Sequence, residues 1–116
     1  SSLFGFAHLM NPHINVFSTF NIFLAGIFFS IAYVKTNSLW LPISLHFSWN
    51  YIEGMVFGFP VSGRAPFQSW IEVTSIGPEW ITGGYFGPEG GIIVTILLII
   101  CSIVLIYNKK LLQVSI

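Results

Sequence analysis

No side chain between positions 91 and 107 is charged, and three other apolar stretches, 1–10, 19–34 and 39–59, hold one glutamate between them. In lipid, a chain of this kind satisfies its backbone polar groups only as helices or a closed barrel. Runs of this length point to helices. Of 116 residues, 54% are hydrophobic and 7% charged, with a mean hydropathy of +0.82. A soluble domain carries roughly a quarter charged residues. The expected fold class is therefore an all-α membrane protein, a partial multi-spanning helical bundle of three to four membrane helices plus a Gly/Pro-rich loop. Zero net charge and no basic cluster beyond Lys109-Lys110 exclude nucleic acid as a partner. The single Cys101 excludes an internal disulfide or a cysteine zinc site.

Stretch 1–10 is too short to span and ends at the breaker Asn11-Pro12. Stretch 19–34 is marginal against the ~17–25 residues that spanning takes. It stops at Lys35 and the turn-like Thr36-Asn37-Ser38, while 39–59 and 91–107 are long enough. Pro42 falls in the first turn of its helix, where a missing N–H costs little. Residues 60–90 hold most of the prolines and glycines and read as loop, with a short helix expected near 67–73. The glycines around 83–91 lack the order of a phosphate-binding loop and read as turns. Lys35 and Lys109-Lys110 fall on one side of the membrane, which the positive-inside rule makes the cytoplasm. The expected protein is integral and multi-pass, with the lipid bilayer as partner.

Polar groups inside such helices are costly and usually face a protein interior or a wet cavity. His46, Asn50 and Glu53 are spaced by four and three, which puts them on one helical face. His8 is a second histidine in an apolar stretch. His13 lies in the Asn-Pro-His-Ile-Asn loop and reads as solvated or capping. Gly26 and Ser30 form a small-xxx-small face suited to close packing.

Phe4-x-x-x-His8 is followed 38 residues later by His46-x-x-x-Asn50, led in by Leu39-Trp40-Leu41-Pro42. The ordered pair resembles the CAAX protease and bacteriocin-processing family (CPBP, or Abi), which are intramembrane endopeptidases. Gly58-Phe59-Pro60-Val61-Ser62-Gly63 and Gly83-Gly84-Tyr85-Phe86-Gly87-Pro88-Glu89-Gly90 add to the likeness. The resemblance implies that residues 1–116 are the C-terminal part of one such domain. It implies a catalytic cavity of His8, His46 and Asn50, the histidines holding or polarising water and Asn50 stabilising the oxyanion. Zinc on His8 and His46 and a metal-free, glutamate-activated water both fit the pattern. The substrate would be a peptide or protein in the membrane. The family's Glu-Glu-x-x-x-Arg motif belongs before His8 and has no counterpart here, so the chain reads as a fragment incomplete for catalysis. Glu53 shares the stripe without matching the family pattern and is a candidate pocket-lining residue. A non-enzymatic scaffold or immunity protein on the same fold is the alternative, and a bis-histidine haem protein a third reading.

Overall fold

The computed structural model describes residues 2–66 and 68–110. Helix α1 covers Ser2–His8, α2 Val16–Thr36 and α3 Trp40–Asn50. The last runs on as a π-helical segment over Tyr51–Val56. A single turn, α4 (Glu79–Thr82), and two 3₁₀ turns (Gly84–Phe86 and Pro88–Gly90) lead into α5, Ile92–Tyr107. Among the described residues there is no β-strand, only the isolated bridge between Val61 and Arg64.

Helix α2 is longer than its apolar run suggested, because its start is set by a polar cap. The Asn15 side chain accepts from Ser18 N–H at 2.8 Å, and the Ser18 hydroxyl accepts from Asn15 N–H at 2.7 Å. This reciprocal pair satisfies two N–H groups that an open helix end leaves unpaired. At the far end Asn37 adopts the left-handed conformation and donates its N–H to Tyr33 at 2.7 Å, which stops the helix. The 21 residues give a rod of about 32 Å at 1.5 Å per residue, enough to cross a bilayer.

Among the described residues, α2 alone is both long and apolar enough for a full span; α5 is apolar but has 16 residues. The all-helical fold is as expected, with one of the three to four expected membrane helices of full spanning length. The stretch 39–59 is divided between α3 and the π segment. The helix expected near 67–73 is absent over 68–73, while Phe67 lies outside the described residues. Instead Trp70, Ile71 and Val73 donate their N–H groups to the carbonyls of Met55, Val56 and Phe57. Those carbonyls end a helix and lack intrahelical donors, so an extended strap satisfies them.

Helix α1 runs antiparallel to α2. Phe4 meets Phe29 and Phe6 meets Phe23, with ring centroids 5.5 and 5.7 Å apart. Gly5 permits this approach, since a Cβ there would lie 2.6 Å from the Phe23 ring carbon Cδ1. Helices α2 and α5 run parallel. Near one end, buried Asn21 donates to the carbonyls of Glu89 and Gly91, at 2.7 and 2.9 Å, and accepts from Thr95 at 2.5 Å. Near the other, Lys35 donates to the Ile106 carbonyl at 2.5 Å. Lys35 and the end of α5 therefore share one end of the molecule, as the charge pattern required. The outer faces stay apolar, with Ile93, Ile96, Ile99, Ile100, Ile103 and Val104 of α5 all exposed.

Candidate functional site

A cavity of about 190 Å³ lies among α1, α2, α3, α5 and the long loop. His8 and His46 both line it. The Phe4 ring touches both imidazoles, with centroids 4.5 Å from His8 and 5.3 Å from His46. Phe29 packs on His46 at 5.2 Å. From the sequence, the two histidines could meet only if α2 were short or tilted and residues 9–18 dipped inward. Helix α2 is not short, at 21 residues. Helix α1 folds back along α2 and carries its histidine inward, while α3 rises past the same level from the opposite end.

The two rings are held differently. His8 Nδ1 lies 2.7 Å from the Phe4 carbonyl oxygen, which can only accept. Nδ1 is therefore the protonated nitrogen, and in the neutral ring Nε2 keeps its lone pair. Among the described residues His46 makes no protein hydrogen bond and is held by aromatic contacts.

Asn50 and Glu53 do not follow His46 into the cavity. Asn50 sits one turn beyond it, with Oδ1 buried and unpartnered among the described residues. Glu53 is 5% exposed, and neither carboxylate oxygen has a partner there. The expected common face breaks down because Glu53 falls in the π-helical segment, whose wider turn rotates it away from α-helical spacing. It lies against Gly87, where a Cβ would be 3.5 Å from its Oε1. His13 is exposed, in the left-handed region and beside Tyr85, as expected of a loop residue. Gly26 is buried, and Ser30 bonds back to its carbonyl at 2.8 Å. Leu45, next to His46 on α3, also lines the cavity.

Three polar residues of the lining were not singled out from sequence, Asn21, Ser62 and Glu89. Glu89 Oε1 accepts from Trp49 Nε1–H at 3.0 Å, and its Oε2 accepts from Ser62 N–H at 3.0 Å and Ser62 Oγ–H at 2.7 Å. The sequence signals for Glu89 were its place in the 83–90 segment that adds to the family likeness and the glycines around it, which mark a tightly folded backbone.

Zinc usually takes three or four protein ligands. Two imidazoles fall short of that. Among the described residues no group of three His, Cys, Asp or Glu is arranged to hold an ion. These residues do not by themselves fit a zinc centre.

No curated protein and no solved structure matched the chain. Residues 1–52, which carry α1, α2, α3, both cavity histidines and Asn50, match the family described as type II CAAX prenyl endopeptidase Rce1-like, and the protease resemblance is borne out over those residues.

Proposed function

We propose that the chain forms part of the catalytic core of a multi-pass intramembrane endopeptidase of the CAAX and bacteriocin-processing type. One observation carries this reading: His8 and His46, from separate helices, line a single cavity around one phenyl ring. Packing alone rarely brings two imidazoles together in so apolar a setting, because a buried polar group without a partner costs free energy.

Peptide hydrolysis needs a base for the attacking water and a donor for the oxyanion, in a site that admits water sparingly. The cavity has room for several waters among mostly apolar walls. His8 Nε2, left with its lone pair, holds a water through that water's O–H. His46 supplies the second imidazole. Asn50, one turn along α3, donates its amide N–H to the oxyanion once substrate lies against that helix. The base is the glutamate of the Glu-Glu-x-x-x-Arg motif, which would come from sequence preceding Ser1. The lysine-bearing end is cytoplasmic, and the substrate class is a membrane-associated peptide such as a prenylated C-terminus or a bacteriocin leader.

The test is cleavage of a farnesylated CAAX peptide and of a bacteriocin-leader peptide by the intact protein in liposomes. His46→Ala and Asn50→Ala are expected to lower turnover by at least about a hundredfold, the scale of a lost base or oxyanion donor, with expression intact. Unchanged turnover in both variants would overturn the assignment of these residues, and no cleavage of either peptide by the wild-type protein would favour a non-enzymatic scaffold.

A further inference from the structure

Glu89 lies outside the family-matched stretch, yet it lines the same cavity as His8 and His46. Its carboxylate is fixed. Three donors, Trp49 Nε1–H, Ser62 N–H and Ser62 Oγ–H, reach its two oxygens at 2.7–3.0 Å. A carboxylate offers about four acceptor positions, so these contacts set its orientation as well as its place. Trp49 stands on α3 between His46 and Asn50, and the tie from Glu89 lands within the stretch that presents both. The backbone is held as firmly. The Glu89 carbonyl accepts from Asn21 at 2.7 Å. Two residues earlier, Gly87 has φ +100°, and a Cβ there would stand 1.9 Å from the Pro60 carbonyl oxygen.

A neutral side chain could join this loop to α3 without the cost of placing a carboxylate among phenyl and aliphatic walls. The charge itself therefore calls for a reason. Glu89 lines the same cavity as the His46 and His8 rings, and the Glu53 carboxyl of the π-helical segment lies on its other side near Gly87. A fixed anion stabilises positive charge that develops on an imidazole.

We propose that Glu89 is a positioning residue of the catalytic cavity: its carboxylate, pinned by Trp49 and Ser62, holds the part of α3 that carries His46 and Asn50 and sets a fixed negative charge in the cavity that His46 lines. The inference rests on the protease reading above and extends it to a residue that the histidine and asparagine motifs do not contain.

The experiment is steady-state cleavage of the farnesylated CAAX peptide by the intact protein, comparing Glu89→Gln, Trp49→Phe, Glu72→Gln and His46→Ala. Glu89→Gln keeps the size of the side chain and removes its charge. Its kcat is expected to fall at least about tenfold, within the roughly hundredfold that a small misplacement of catalytic groups can cost, with KM within about twofold. Its thermal midpoint stays near wild type, and the limb of the pH–rate profile that reports the imidazoles is displaced. Trp49→Phe, which removes one donor and leaves the loop intact, lowers kcat in the same sense by less. Glu72, exposed in the same loop, serves as the control, and Glu72→Gln changes nothing.

Wild-type kcat and an unmoved pH profile in Glu89→Gln would overturn the inference. So would a lowered thermal midpoint with full turnover in the folded fraction, since that describes loop support alone. If His46→Ala also retained activity, the reading of this cavity as the proteolytic site would itself fall. If His46→Ala were inactive and Glu89→Gln fully active, only the role of Glu89 would be lost.

Discussion

At the scale of single residues, the site depends on small groups placed where larger ones cannot go. Gly87 is the sharpest case. It adopts φ +100°, and a Cβ would meet the Pro60 carbonyl oxygen at 1.9 Å. Gly87→Ala should destabilise the protein by about 1–3 kcal/mol from the left-handed backbone alone, with the backbone clash adding to it. It should also lower turnover by shifting Glu89. A thermal unfolding midpoint in detergent, read beside turnover, checks both effects, and an unaltered midpoint would show that the loop relaxes freely. His8 and His46 were legible in the sequence because an imidazole in an apolar run is costly enough to require a reason. Glu89 was not, because a glutamate in a Gly/Pro-rich loop looks like any solvated loop charge. Only the fold brings Trp49 and Ser62 to it.

At the scale of elements, the apolar runs located the helices, while polar details set their ends. The capping pair of Asn15 and Ser18 starts α2 three residues before its apolar run suggested. Asn37 closes it close to where the turn-like Thr36-Asn37-Ser38 indicated. The expected stripe of His46, Asn50 and Glu53 assumed one continuous α-helix. The π-helical turn over Tyr51–Val56 breaks that assumption, and hydrophobic spacing gives no warning of an extra residue in a turn. The α2–α5 pair depends on another polar group that apolar patterning passes over. Asn21 is 2% exposed and engages Glu89, Gly91 and Thr95. Asn21→Ala would leave two carbonyls and a hydroxyl short of a partner, each unsatisfied buried group costing about 1–3 kcal/mol. The expected outcome is a clear drop in the unfolding midpoint, with turnover reduced because the Glu89 backbone is released. A midpoint equal to wild type would show that water replaces the amide at no cost.

At the scale of the whole molecule, α2 and α5 pack directly on each other and run parallel, α3 returns along α2, and the long loop closes the end opposite Lys35. That arrangement follows from the distribution of charge. The lysines gather at one end, and the outer surface keeps apolar side chains such as Ile93, Ile96 and Ile103 of α5. The number of full crossings was less legible, because 16 apolar residues in α5 and a divided α3 each fall short of a full span on their own. What the arrangement achieves is to carry α1 back along α2, so that two distant histidines share one cavity. Thiol cross-linking in the membrane tests this most directly, using His8→Cys with His46→Cys in a Cys101→Ser background of the intact protein. The account predicts ready bridging of positions 8 and 46 by a short bifunctional thiol reagent, matched by a Lys35→Cys and Ile106→Cys control pair. Bridging of the control pair with none between 8 and 46 would contradict it.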